Sequence, residues 1–355
     1  MDERASAAEF ATACGCGYPG HTRRGFMALS AGGIAAAVAG SGTLARAQAA
    51  GGIIDVHHHL SPPPLIEALR RHKVGERPLF DWTPTRSIED MDRAGVATSI
   101  TSIATPGIWF GDNAEARAVA RECNDYAAKL SQQYPGRFGI FASIPLPDVD
   151  GALREIEYAF EVLKADGIGV MTSLGDRWLG DARFAPVMEE LNRRNAILYT
   201  HPTYAYCCRN VLPDVHDSIV ELVADTSRAI ANILFTGTAT RYPNVRFIFS
   251  HAGGTIPFTY QRLSLWPGAD AKVGQGVVAT LQKFYYDTAQ VAYPIAMAAL
   301  TKLVPVSQVL FGTDFPFRTS EDHVKGLQEC GFATSDLDAV LHGNARRVLP
   351  SLAAR

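Results

Sequence analysis

Eight short, β-branched apolar runs alternate with longer segments of helical spacing, and histidine or aspartate recurs where several runs end, so the sequence predicts an α/β fold, a (β/α)8 TIM barrel. The runs are Ile53 to His57, Ser99 to Ala104, Phe138 to Ile144, Gly167 to Met171, Ile197 to His201, Arg246 to His251, Phe284 to Asp287 and Val309 to Asp314. Their near-continuous apolar character suits parallel strands covered on both faces, not a half-wet antiparallel sheet. A doubly wound open sheet is the competing arrangement, but no glycine-rich phosphate loop follows the first run.

Taken in order, the first fifty residues stand apart. Thr22-Arg23-Arg24-Gly25-Phe26-Met27 precedes a weakly hydrophobic run from Ala28 to Ala39, and Ala45-Arg46-Ala47 or Ala47-Gln48-Ala49 offers a cleavage site. This pattern predicts a twin-arginine signal peptide and linker over residues 1–50, ahead of one barrel over residues 51–355. The run is too short and too rich in glycine and alanine to span a bilayer. The expected location is therefore the periplasm or the medium, with no stable membrane anchor after cleavage.

Beyond the first strand, the proline-rich and aromatic stretch from Pro62 to Pro84 reads as an irregular insertion. Asn113 to Tyr134 places Ala116, Val119, Ala120, Cys123, Ala127 and Leu130 at spacings of three and four, one apolar face of a helix. Asp150 to Lys164 begins with an acidic residue suited to capping, and Arg183 to Arg194 closes on basic residues that complement a helix C-terminus. Asp217 to Thr240 and Ile295 to Leu303 continue the alternation.

Composition narrows the functional classes. A 47% hydrophobic, 19% charged chain with net charge −3 has material for a large core and no basic excess to attract nucleic acid. Of the cysteines, Cys14 and Cys16 fall in the leader, and Cys123, Cys207, Cys208 and Cys330 match neither a zinc knuckle nor a disulfide framework. They read as buried or partly buried thiols.

The chemistry gathers at the strand ends, where a (β/α)8 barrel builds its active site. Within Ile53-Ile54-Asp55-Val56-His57-His58-His59-Leu60, strand alternation puts Asp55, His57 and His59 on one side, and Val56 and His58 on the other. His201, His251 and Asp314 close the fifth, sixth and eighth runs. Each of these singly could cap a turn or pack in a core, but five such groups on one rim describe a divalent-metal site. The imidazole and carboxylate mixture suits zinc first, with manganese, iron or cobalt as alternatives. Trp82, Phe110, Trp178, Tyr204 and Tyr206 lie near rim loops and are candidates to wall an aromatic pocket.

Four stretches taken together, Asp55-Val56-His57-His58-His59, Tyr199-Thr200-His201-Pro202, Ser250-His251-Ala252-Gly253-Gly254 and Phe311-Gly312-Thr313-Asp314-Phe315-Pro316, resemble the signatures of the amidohydrolase superfamily. The branch they most resemble is that of aminocarboxymuconate-semialdehyde and aromatic-acid decarboxylases, including 6-methylsalicylate decarboxylase, and the likeness runs from Ile53 to Gly343-Asn344-Ala345. The resemblance implies a metal-dependent barrel in which His57, His59, His201 and Asp314 bind one metal ion and a water. It further implies that His251 is the acid/base group, with Asp314 as its proton partner, and that Arg262 reaches a substrate carboxylate across a homodimer interface. Arg77 and Arg86 are weaker candidates, better read as helix-surface salt bridges. The superfamily's binuclear hydrolases carry a bridging lysine at the end of strand four, whereas Gly169-Val170-Met171-Thr172-Ser173 has none, so a single metal is expected.

The expected activity is non-oxidative decarboxylation of a small hydroxybenzoate-like or muconate-like carboxylic acid. A mononuclear hydrolase of a lactone, ester or amide is the alternative, because activating water is what such a metal does by default. A non-catalytic metal-binding barrel is disfavoured by the intact His251 beside a full ligand set.

Overall fold

A computed structural model describes residues 52–349 and 351–352 of the chain, so the expected twin-arginine leader lies outside the described residues. Eight parallel strands follow one another in sequence order: β1 (Ile53–His59), β2 (Val96–Ser102), β3 (Phe138–Ser143), β4 (Gly167–Met171), β5 (Ile197–His201), β6 (Arg246–Phe249), β7 (Tyr285–Asp287) and β8 (Val309–Leu310). The circle closes where the chain after β8 meets β1. The amide of Val56 donates to the Phe311 carbonyl at 2.9 Å and that of His59 to the Phe315 carbonyl at 2.8 Å. The predicted barrel is therefore present.

The helices that cover it are α1 (Pro63–His72), α2 (Arg77–Phe80), α3 (Pro84–Ala94), α4 (Asn113–Gln133), α5 (Val149–Glu161), α6 (Ala185–Arg193), α7 (Glu221–Phe235), α8 (Thr238–Arg241), α9 (Ile256–Ser264), α10 (Ala269–Val273), α11 (Val277–Leu281), α12 (Pro294–Leu303), α13 (Ser320–Gln328), α14 (Thr334–Asp338) and α15 (Asn344–Val348). The stretch from Pro62 to Pro84 is largely helical and not the expected irregular insertion. Pro63, Pro78 and Pro84 sit in first turns, where a missing N–H costs nothing, so proline here starts helices. The cap of α5 is Asp148, which accepts from the Gly151 amide at 3.2 Å, so the helix begins ahead of the expected cap at Asp150. No helix among the described residues is long and apolar enough to cross a membrane.

Two apolar layers hold the barrel. Inside it, Ile54, Val56, Ile100, Phe141, Ile197, Tyr199, Ile248 and Leu310 fill the lower half, where Ala345, Val348 and Leu349 of the C-terminal segment cover the base. Outside it, residues such as Phe138, Phe184, Phe247 and Leu300 seal strands against helices. The lower interior is thus solid, which leaves the polar strand ends at the opposite rim as the place where side chains can meet solvent.

Candidate metal centre and active site

The β1 strand delivers His57 and His59 to the rim, β5 delivers His201, and the segment after β8 delivers Asp314; one ligand atom from each lies within 4.8 Å of the others, and all four residues are buried. His57 Nε2 and His59 Nε2 stand 3.0 Å apart, and Asp314 Oδ1 lies 2.9 Å from His59 Nε2 and 3.2 Å from His57 Nε2. His201 Nε2 is 3.9 Å from the same oxygen and has no hydrogen-bond partner. The four residues expected to bind a metal are brought together.

The tautomers of these rings decide what can sit between them. His57 Nδ1 lies 2.8 Å from Asp287 Oδ2, His59 Nδ1 lies 3.3 Å from the Ser102 carbonyl and His201 Nδ1 lies 2.9 Å from the Pro202 carbonyl. A carboxylate or carbonyl only accepts, so each Nδ1 carries the proton and each Nε2 points a lone pair inward. Three lone pairs and a carboxylate converging in a buried space repel one another unless a cation lies among them. The donor set therefore fits a divalent metal ion.

Charge balance leads to the same conclusion. Burial pulls the His57 imidazole down, but the Asp287 and Asp314 carboxylates outweigh it and push the metal-free ring up to about 10. Burial drives His59 down and His201 well down, so both stay neutral. Asp314 is held well below the usual carboxylate range: burial opposes this, and the charge of His57 overrides it. Without a metal, one proton on His57 supplies the positive charge that a metal ion would otherwise provide.

Asp287, at the end of β7, is the main site residue that sequence reasoning missed. Besides orienting His57, its Oδ1 accepts from the backbone amide of His251 at 2.9 Å and of Ala289 at 3.1 Å. It therefore ties the first, sixth and seventh strand ends into one unit. The available signal was its place at the C-terminal end of the seventh apolar run. Asp55 accepts from the amides of His57 at 2.9 Å and Thr313 at 3.2 Å, and an irregularity in β1 between Asp55 and His58 groups it with His58, not, as strand alternation predicted, with His57 and His59. His58, read as facing away without a role, lies 3.1 Å from Asp55 Oδ2 and 2.9 Å from Ser87 Oγ and stacks on Phe315. It locks β1 to its neighbours.

His251 is 4% exposed, and neither of its ring nitrogens has a hydrogen-bond partner; Nε2 is 3.6 Å from Asp314 Oδ2. Its φ of 54° is one of several positive values among non-glycine residues on this rim, with Ala252 at 56°, Gln290 at 61° and Asp314 at 65°. Such conformations are sparsely populated and persist where surrounding bonds enforce them. The His251 amide is held by Asp287 and the Asp314 amide by the His57 carbonyl at 2.8 Å. Gly312 lets the β8 extension approach, since a Cβ there would stand 2.8 Å from the His57 Cβ.

Over the cluster opens a cavity of about 430 Å3, lined by His201, His251 and Asp314 together with Tyr204, Leu222, Val223, Val291, Tyr293, Phe317, Gln290 and Arg318. That volume suits one substituted ring. Of the aromatic residues proposed as walls, only Tyr204 lines this cavity. Trp82 is buried and donates to Ser87 Oγ at 3.0 Å, Phe110 stacks on His72, Trp178 donates to Asp225 Oδ1 at 2.7 Å, and Tyr206 lies on a smaller neighbouring pocket. Phe317 and Tyr293 take their place, on loops whose course the sequence pattern did not reveal.

The arginines separate clearly. Arg77 pairs with Asp81 at 3.1 Å on the helix surface, as expected, and Arg86 donates to the Asp81 carbonyl at 2.6 Å. Arg262 is exposed on α9 and does not line the cavity of its own chain. Cys207 and Cys208 are joined in a disulfide within an exposed 3-10 turn after β5, correcting the expectation of thiols there; Cys123 is a buried thiol and Cys330 a half-buried one. At the end of β4, which carries no lysine, Thr172 and Ser173 donate to Asp225 at 2.5 and 2.8 Å.

Comparison with known proteins agrees with this geometry. The chain is 36% identical over 275 residues to 6-methylsalicylic acid decarboxylase of Penicillium expansum, covering 74% of this chain and 84% of that protein. In fold it is similar to 5-carboxyvanillate decarboxylase of Sphingomonas paucimobilis, with a TM-score of 0.77, 21% identity and coverage of 84% and 98% of the two chains. It is similar also to a dihydroxybenzoic acid decarboxylase of Polaromonas with bound manganese and 2-nitroresorcinol, with a TM-score of 0.74, 21% identity and coverage of 84% and 97%. The model of the amidohydrolase family matches residues 54–351, nearly all of the barrel and its covering helices, and the chain belongs to that family.

Proposed function

We propose that this protein is a metal-dependent, non-oxidative decarboxylase of a small hydroxybenzoate-like or muconate-like acid. The observation that carries the reading is the pairing of a convergent three-imidazole, one-carboxylate ligand set with a buried, unpartnered imidazole, His251, beside it. The kinship with the 6-methylsalicylic acid enzyme supplies the substrate class.

His57, His59, His201 and Asp314 hold the metal, zinc by the preference of this donor set and manganese as the next candidate. When bound, the metal supplies Lewis acidity that holds and polarises oxygen atoms of the substrate. The remaining work falls to side chains. His251, as imidazolium, gives its proton to the ring carbon that bears the carboxylate. The bond from that carbon to the carboxylate then breaks, CO2 leaves, the electron pair restores the aromatic ring, and the imidazole recovers a proton from solvent. Asp314 Oδ2, 3.6 Å from His251 Nε2, steadies the charged ring before transfer. Phe317 and Tyr293 press on the substrate ring and keep water from its face.

Arg262 enters this scheme from a second copy of the chain. It stands on α9 near exposed apolar side chains, Phe258 at 68%, Leu265 at 75% and Trp266 at 66% exposure, which a homodimer would cover. The leader would carry the folded, metal-loaded protein to the periplasm.

The test is release of CO2 from a panel of hydroxybenzoates, led by 6-methylsalicylate, by metal-loaded protein. His251→Gln should keep its metal and lose about 100-fold or more in kcat. Cleavage of esters or lactones with no CO2 from any acid would refute the reading in favour of a hydrolase.

A further inference from the structure

Among the residues lining the metal cavity, Arg318 is the one lysine or arginine. It sits on the turn that follows Asp314, four residues beyond that ligand, and its orientation is set by a short chain of hydrogen bonds that begins at the ligand itself. Asp314 Oδ2 accepts from Gln290 Nε2 at 2.8 Å, and Gln290 Oε1 accepts from Arg318 Nε at 3.1 Å.

The order of these bonds is not interchangeable. A carboxylate only accepts, so the Gln290 amide must turn its NH2 toward Asp314, which leaves its oxygen facing outward and able to receive only a donor. The Gln290 backbone is pinned as well: at φ 61° its amide donates to His323 Nε2 at 2.9 Å, while His323 Nδ1 donates to the Thr319 carbonyl at 3.0 Å. Gln290 thus transmits the polarity of the metal ligand to the guanidinium.

Arg318 also differs from those arginines of this chain that are held in ion pairs. Arg117, Arg121 and Arg137 are each paired with a carboxylate at 2.5 to 2.7 Å, whereas no carboxylate among the described residues pairs with Arg318. Its two Nη groups remain available as a fork, the geometry that matches a carboxylate with two parallel hydrogen bonds. Arg318 is exposed at the mouth of this single-ring cavity, whose lining carboxylates are Asp314 and Glu76, the latter 3.4 Å from the Tyr204 hydroxyl; the guanidinium, held by Gln290, marks the edge of the cavity where an anionic group of the ligand belongs.

We propose that Arg318, positioned by Gln290, recognises the substrate carboxylate from within the same chain, independently of any residue supplied by a second copy. The identity of the anion rests on the decarboxylase reading above. The guanidinium accordingly sets specificity for acids over the matching neutral phenols, and it orients the acid with its carboxylate toward the Asp314 side of the metal site.

The experiment is a calorimetric titration of full-length, metal-loaded protein with hydroxybenzoates and their carboxylate-free counterparts, 6-methylsalicylate against 3-methylphenol first. In Arg318→Met, affinity for the acid should fall about tenfold or more while that for the phenol stays within about twofold, and Arg318→Lys should recover part of the loss. Equal losses for both probes, or no loss for the acid, would overturn the proposal, as would a protein with Arg318 intact that binds none of the acids more tightly than the matched phenols. Each titration is run in the His251→Gln background, so that binding is read without turnover. A preference for acids through Arg318, with no CO2 released by the wild type, would refute the decarboxylase reading and leave the anion site standing.

Discussion

At the residue scale, the site depends on which nitrogen of each histidine carries the proton. Asp287 fixes that choice for His57, because an acceptor at 2.8 Å from Nδ1 leaves the Nε2 lone pair for a metal. Asn at position 287 has almost the same shape but can turn an NH2 toward Nδ1 and favour the wrong tautomer. Asp287→Asn should weaken metal binding about 10- to 100-fold, read by competition with a chelator, while the folded circular dichroism spectrum is retained. The pH dependence follows from the same ring. His57 is raised from 6.5 to about 10 in the metal-free protein, so its contribution to metal-free stability is fully present below pH 6.5 and is lost as pH rises through about 10. A metal ion must displace that proton. Metal affinity should therefore rise with pH across this window, with about one proton released per metal bound near neutrality in weakly buffered titrations.

At the element scale, strand ends and the segments just beyond them do different work from strand bodies. The strand bodies fill the barrel with apolar side chains, and the C-terminal segment seals the base: Leu349 is fully buried and Arg246 donates to the Val348 carbonyl at 2.7 Å. Leu349→Ala should cost about 2–5 kcal/mol in urea unfolding while leaving kcat of the folded enzyme unchanged, because the cavity it creates lies at the opposite end from the metal. The segment after β8 behaves in the other sense. Regular strand pairing ends at Leu310, yet the chain stays bonded to β1 as far as Phe315, and that extension carries Asp314 into place.

At the scale of the whole molecule, one chain brings together the four-residue metal site, the buried imidazole of His251 and Arg318, and leaves Arg262 on its surface. If Arg262 serves the neighbouring copy, Arg262→Met and His251→Gln inactivate different halves of each site. Mixing the two variants under conditions that exchange subunits should restore activity to about a quarter of wild type, since half of the dimers then hold one intact site. No recovery, with dimers verified by sedimentation, would confine each active site to a single chain.

The amino-acid sequence by itself determined the barrel, its strand order and five polar groups on one rim, because the strand-end rule converts position into placement, whereas the choice of His57, His59, His201 and Asp314 as ligands came from the superfamily resemblance. The expectation of a single metal likewise came from that resemblance, through the absence of a lysine at the end of β4. Tertiary structure alone decided what faces those ligands. Asp287 and Gln290 act through contacts with residues 230 and 24 positions away, and Trp82 turns into the core while Phe317 and Tyr293 form the wall. Loop direction has no periodicity in sequence, and a hydrogen bond between distant strand ends exists only once the barrel has closed. The histidines and aspartate could be named from the chain, but the lone pairs that make them a metal site are set by partners that folding brings together.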